Sequence, residues 1–152
     1  MSIAIANVRP DSETAVQLID ELEATLSPYY PDESRHGYNV EKLLHESVAF
    51  FILSVDGLPA GCGGVQFYGS AYAELKRMYM RPYYRGLGLS KRLLEHLAAY
   101  SRQHGVTVLR LETGIYQEAA IGLYERMGFE RIGPFGEYVE DPLSVFFEKQ
   151  LT

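Results

Sequence analysis

Arg81-Pro82-Tyr83-Tyr84-Arg85-Gly86-Leu87-Gly88-Leu89-Ser90-Lys91-Arg92 decides how the rest of the chain is read. A strand-like run, Tyr72 to Met80, precedes it, and a long amphipathic helix opens near Leu87. Gly86 and Gly88 leave backbone amides uncovered by side chains where that helix begins. Amides of a first helical turn have no internal partner and carry a partial positive charge. Such an end seats phosphate or pyrophosphate. Neighbouring charge agrees: Lys76, Arg77, Arg81, Arg85, Lys91 and Arg92 are basic, and no residue from 76 to 92 is acidic. The stretch reads as an anion cradle on a strand-to-helix turn.

Spacing narrows the cradle. A dinucleotide fingerprint needs a third glycine, and a P-loop needs a Gly-Lys pair. Gly86-Leu87-Gly88-Leu89-Ser90-Lys91 has neither. The net charge of the whole chain is -6, so positive charge is gathered at this one stretch. An acidic surface elsewhere disfavours nucleic acid, which needs a broad basic face. It suits a cationic acceptor such as an amine.

The length of 152 residues fits a single domain, 1–152, with a real core. The single cysteine, Cys62, leaves no internal disulfide and no cysteine zinc cluster. It reads as a small buried apolar residue rather than a reactive thiol. The four histidines show no ligand spacing, so no metal is implied. No signal peptide or membrane-length apolar run is evident, and a cytoplasmic protein is expected.

Outward from the cradle, the chain alternates short strands and helices. Residues 3–8 read as a strand and Thr14–Leu26 as a helix stopped by Pro28. A loop dense in aromatic and polar groups, Tyr29–Gly37, leads to a short helix at Val40–Glu46. Val48–Val55 and Pro59–Tyr68 form a hairpin about Asp56-Gly57. Tyr72–Met80 is a third antiparallel strand. Its alternation slips: Ala73 and Leu75 are apolar at odd positions, Met78 and Met80 at even ones. One extra residue near Lys76 or Arg77, a β-bulge, restores a single buried face; burial on both faces would give the same pattern. After the cradle helix come a parallel strand at Val106–Leu111, a helix at about Gln117–Met127 ended by Gly128, a strand near Phe129–Ile132 and a last strand at Ser144–Leu151.

Arg85-Gly86-Leu87-Gly88-Leu89-Ser90 resembles [QR]-x-x-G-x-[GA], the pyrophosphate motif of the GCN5-related N-acetyltransferases (GNAT), with Ser90 departing from the last position. Ala120-Ile121-Gly122-Leu123-Tyr124-Glu125-Arg126-Met127-Gly128-Phe129 is similar to the A-x-x-L-Y-x-x-x-G-F segment of that family. The element order matches as well, so the resemblance covers nearly the whole chain. It implies an α/β (α+β) fold: a mixed, mainly antiparallel sheet of about seven strands, a central parallel βαβ crossover and helices on both faces.

The resemblance also implies acetyl-CoA as co-substrate, with the pyrophosphate on Arg85, Gly86, Leu87, Gly88, Leu89 and Ser90. Met78, Tyr79 and Met80 would line the pantetheine arm and offer amides to the thioester carbonyl; the two methionines also read as plain core. Tyr124 would protonate the leaving thiolate, unless it is a core-edge tyrosine. Glu74 would take the proton of the amine, unless it is a glutamate paired with Lys76 or Arg77; Glu112 and Glu118 stand behind it. The acceptor side would draw on Tyr30, Glu33, Arg35 and His36, on the 134–141 loop and on Tyr83 or Tyr84. Asp32, Glu33 and Glu137 suit a cationic group, and Arg35 and His36 a carboxylate. The expected acceptor is therefore a small, amino-acid-like amine. A protein α-amine or lysine acetyltransferase and a non-catalytic acyl-CoA sensor are the alternatives. Members of the family often pair, so a homodimer is among the expectations; neither nucleic acid nor membrane is.

Overall fold

In the computed structural model, which describes residues 1–151, the chain runs β1 (Ile3–Val8), α1 (Glu13–Leu26), α2 (Val40–His45), β2 (Ala49–Val55), β3 (Leu58–Tyr68), β4 (Tyr72–Met80), α3 (Leu89–Gln103), β5 (Val108–Gly114), α4 (Glu118–Arg126), β6 (Glu130–Ile132) and β7 (Ser144–Gln150). Short 3-10 turns occupy Asp32–Ser34 and Pro82–Tyr84. The strands form one sheet in the order β1-β2-β3-β4-β5-β7-β6. Every neighbouring pair is antiparallel except β4–β5, the two strands joined through α3.

Helices cover both faces. Leu89, Leu93, Leu94 and Leu97 of α3 and Tyr124 of α4 pack on one side, with Leu75, Met80 and Leu109. Ala15, Leu18, Ile19 and Leu22 of α1 and Leu43 of α2 pack on the other, with Phe50, Cys62 and Tyr79. Cys62 lies within that second core, where burial pushes its thiol up to about 12, so it is inert. No helix of the described residues is long and apolar enough to cross a membrane.

The bulge is present. Cys62 pairs with Tyr79 while Gly64 pairs with Lys76, so two residues of β4, Arg77 and Met78, face the single residue Gly63. Arg77 adopts φ 56°, a left-handed conformation that costs a non-glycine residue energy. The extra residue resets the alternation. Ala73, Leu75, Met78 and Met80 all meet the α3–α4 side, and Glu74, Lys76 and Tyr79 take the opposite face.

Two elements, α3 and β5, depart from the sequence expectation by more than one residue. α3 begins at Leu89 rather than Leu87, because Gly88 at φ 75° is its N-cap. β5 lies at 108–114 rather than 106–111 because β7 pairs with it as far as Gly114↔Ser144. Val106 is instead held by its amide on the Ser101 carbonyl at the end of α3, 3.0 Å away.

Candidate active site

The cradle at the start of α3 is open. Gly86 and Gly88 have φ 79° and 75°, and a Cβ built on either meets nothing within 4 Å. The first helical bond runs from the Arg92 amide to the Gly88 carbonyl, 3.2 Å. No side chain caps the helix, and the amides from Gly86 to Lys91 have no acceptor among the described residues. Burial of Leu89, 1% exposed, fixes the first turn against the sheet. The Arg85 Nε–H donates to the Met80 carbonyl, 3.0 Å, and ties the loop back to the end of β4. A diphosphate fits this seat: bare amides, a helix dipole and no side chain in the way.

The basic run divides, which corrects its reading as one cradle. Lys76 pairs with Glu74 at 2.9 Å, Arg81 with Glu21 at 2.8 Å and Arg77 with Glu23. Strand alternation and the bulge turn these three cations away from the mouth of α3, and α1 supplies Glu21 and Glu23. Lys91 and Arg92 remain exposed beside the cradle.

β4 and β5 then part. Their pairing consists of Ala73↔Leu109 and Glu74↔Arg110, and beyond it β4 continues beside β3 while β5 continues beside β7. The resulting gap opens into a cavity of about 140 Å³. Glu74, Met78, Glu112, Tyr124 and Tyr138 line it, with α1 and the 34–37 segment as further walls.

Tyr124 is pinned by local sequence. The Phe129 amide donates to the Tyr124 carbonyl, 3.0 Å, and the Gly128 amide to that of Glu125, 3.1 Å. Gly128 takes φ 88°. This is a Schellman motif with its apolar contact, the Tyr124 and Phe129 rings being 5.5 Å apart. Tyr124 is 5% exposed, and its hydroxyl has no partner among the described residues. Burial raises its pKa above the ordinary tyrosine value, so the phenol stays protonated and is a donor.

Two carboxylates share the cavity and differ in occupation. Glu74 Oε2 accepts from Lys76 Nζ (2.9 Å) and from the Tyr138 hydroxyl (2.6 Å), while Oε1 accepts from Tyr68 (3.4 Å). Glu112 receives one donor, the Ser144 hydroxyl on Oε2 at 2.8 Å. Burial raises the Glu112 pKa, against the lowering effects of Ser144, His36 and Lys76. Glu118 is exposed and does not line the cavity.

Of the residues expected to meet the acceptor, Tyr30, Arg35 and His36 line the cavity and Glu33 does not; Glu33 is exposed on the 3-10 turn. The Tyr30 hydroxyl donates to Gln117 Oε1 (3.1 Å) and accepts from the Tyr116 amide (3.0 Å), so it clamps the loop to the start of α4. It crosses Gly114 so closely that a Cβ there would sit 2.0 Å from its oxygen. His36 Nε2 lies 3.5 Å from Asp141, joining the 34–37 segment to the 134–141 loop. Of residues 78–80, Met78 alone lines the cavity. Tyr79 donates to Glu21 at 3.2 Å on the α1 side, and Met80 packs in the core. Arg77 and Tyr138 also line the cavity; the sequence points to the loop carrying Tyr138 but not to the residue, and the slip in alternation marks Arg77 without showing its surroundings.

Comparison with known proteins agrees with this geometry. The sequence model of the Acetyltransferase (GNAT) family matches residues 16–129. An IAA acetyltransferase from Azospirillum brasilense is 40% identical over 151 residues, 99% of each chain. The uncharacterized N-acetyltransferase YsnE of Bacillus subtilis is 33% identical over 138 residues, 90% of this chain and 91% of its own. A Klebsiella pneumoniae structure described as an acyl-CoA N-acyltransferase superposes with a TM-score of 0.84 at 36% identity, covering 99% of this chain and 98% of that one. With its bare helix mouth, its splayed β4–β5 pair and these relatives, the chain belongs to the GNAT family of acetyltransferases, enzymes that draw their acetyl group from acetyl-CoA.

Proposed function

We propose that this enzyme N-acetylates a primary amine of a small, amino-acid-like molecule by direct attack in a ternary complex, with no acyl-enzyme. One observation carries the reading. The cavity at the β4–β5 gap holds an unpartnered phenol, Tyr124, together with a carboxylate, Glu112, that is bound by one donor only. Walls from the 30–37 segment and Tyr138 suit a small acceptor rather than a long chain. The name of the Azospirillum relative favours a small acceptor as well.

Acetyl-CoA supplies an activated thioester, and the chain's own groups position it and move protons. The amides of Gly86 to Lys91 hold the diphosphate, with Arg85 bracing the loop. Backbone amides of β4 around Met78–Met80, next to the bulge, stabilise negative charge on the acetyl oxygen. The acceptor nitrogen bonds to the acetyl carbon as the carbon–sulfur bond breaks. Glu112 takes the proton from nitrogen, and Tyr124 gives its proton to sulfur. The products are an N-acetyl amine and free coenzyme A. Glu74, expected from sequence to be the base, is held by Lys76, Tyr138 and Tyr68; in this scheme it orients the cavity wall and Glu112 acts as base.

A thiol-release assay with acetyl-CoA and a panel of amines tests the reaction. Turnover on small amines is the expected result. Coenzyme A binding without turnover on any acceptor would make the protein a sensor, and release with peptide amines alone would make it a protein acetyltransferase. Tyr124→Phe should lower turnover by about 10- to 100-fold, at the low end for a positioned acid because a thiolate is already a fair leaving group. Its coenzyme A affinity and melting temperature should match the parent, since the lost hydroxyl leaves no group unpaired. Equal turnover would remove Tyr124 from the proton path.

A further inference from the structure

Arg77 is 7% exposed overall and its side chain 3%, which is unusual for a guanidinium outside a closed ion network. It lines the same cavity as Tyr124 and Glu112. Its one side-chain partner among the described residues is Glu23, reached through Nη2, and its Nε–H is buried with no acceptor. Arg35, in the 34–37 segment that walls the same cavity, repeats the pattern. It reaches the other oxygen of Glu23 from Nη1 at 3.3 Å and Asp32 from Nη2, and its Nε–H is also buried without an acceptor. Both guanidiniums thus lean on one carboxylate that is 41% exposed; Asp32, at 89%, is too solvated to count for much. A buried N–H left without an acceptor is destabilising, and a ligand oxygen that reaches it relieves the loss. Two of them belong to residues walling one small cavity.

The other charges facing the cavity do not consume this capacity. Glu74 is taken by Lys76, and the Lys76 ammonium also lies 3.8 Å from the centre of the Tyr38 ring. Glu112 is paired with Ser144, and His36 with Asp141. Gly37 has no side chain where Arg77 passes; a Cβ there would overlap the guanidinium. The β4 bulge, which follows directly on the short β4–β5 pairing, holds Arg77 at φ 56° and so fixes the cation beside the gap.

We propose that Arg77, together with Arg35, forms a carboxylate-binding subsite, so that the acceptor is an amine carrying a carboxylate. A planar guanidinium with spare N–H groups matches a carboxylate in geometry and charge. The pairing places the anionic end of the acceptor on the α1 side and leaves its amine for Glu112. Arg77 takes the place that His36 was expected to fill, since His36 is committed to Asp141. This inference rests on the small-acceptor reading above but has its own readout.

The test is calorimetric titration of the coenzyme A-loaded full chain with N-acetyl derivatives of the standard amino acids and with the matching N-acetyl carboxamides. At least one acid should bind about 10-fold or more tighter than its amide. Arg77→Asn, chosen because asparagine tolerates a left-handed backbone, should erase that preference with coenzyme A affinity unchanged. Arg35→Gln should weaken the preference, and it decides alone if Arg77→Asn fails to bind coenzyme A. Equal binding of acids and amides, binding of neither, or a preference that survives Arg35→Gln and a folded Arg77→Asn would overturn the subsite. An acid preference with no turnover on any amine would instead leave the subsite standing and remove the proposed reaction.

Discussion

Gly88→Val should weaken coenzyme A binding by about 100-fold or more while the protein still folds. Gly88 sits at φ 75° on the exposed lip of α3, and a Cβ added to it would meet nothing within 4 Å. A β-branched residue there pays roughly 1–2 kcal/mol for the left-handed backbone. It also relaxes toward negative φ, which rotates the Gly88 and Leu89 amides off the seat, and its methyls occupy the space the diphosphate needs. A hydrogen bond to a charged group contributes roughly 1.5–3 kcal/mol, so losing two accounts for about 10²-fold or more. Calorimetry with coenzyme A and a melting curve check both halves. Unchanged affinity in a folded variant would place the diphosphate elsewhere.

Glu112→Gln should lower kcat/KM by roughly 10²- to 10⁴-fold at neutral pH, the range for a positioned general base. The pH profile gives the sharper test. Burial raises the Glu112 pKa, with Glu74 adding to the rise and Ser144, His36 and Lys76 opposing it. A base must be ionised, so activity should fall as pH drops through a value above the ordinary carboxylate range, and that limb should vanish in the variant. Stability should move the other way. A carboxyl group whose folded pKa is raised stabilises the fold below its unfolded pKa and loses that contribution as pH rises through the folded value. At neutral pH the parent therefore carries a buried charge that glutamine removes, and the variant should melt at the same or a higher temperature. An unchanged acid limb in Glu112→Gln, with the limb lost in Glu74→Gln, would return the role to Glu74.

What could be read from the sequence follows the range of each interaction. The cradle was legible because it is local: two glycines, a helix start and no capping side chain within a few residues. The placement of Tyr124 was legible for the same reason, since Gly128 and Phe129 fix it through bonds spanning one helical turn. The bulge showed as a slip of one residue between Leu75 and Met78, and the paired register of β3 and β4 accounts for it. The destinations of charges were not legible. Arg77 meets Glu23 and Arg81 meets Glu21 across 54 and 60 residues of chain, contacts set by how α1 docks on the sheet. A run of basic residues therefore read as one anion seat, whereas alternate strand positions deliver its members to opposite sides. The Glu112 environment depends on β7 and the loop before it, equally distant in sequence. Extra length in β5 has the same origin, because its last three residues are strand only through their pairing with β7.

Diffraction from crystals of the protein grown with coenzyme A tests the central claim most directly. The expected density places the diphosphate within hydrogen-bond reach of the amides between Gly86 and Lys91, with the pantetheine arm running into the gap between β4 and β5 and the sulfur beside the Tyr124 hydroxyl. Density with the diphosphate away from the mouth of α3, or with the arm outside that gap, would contradict it.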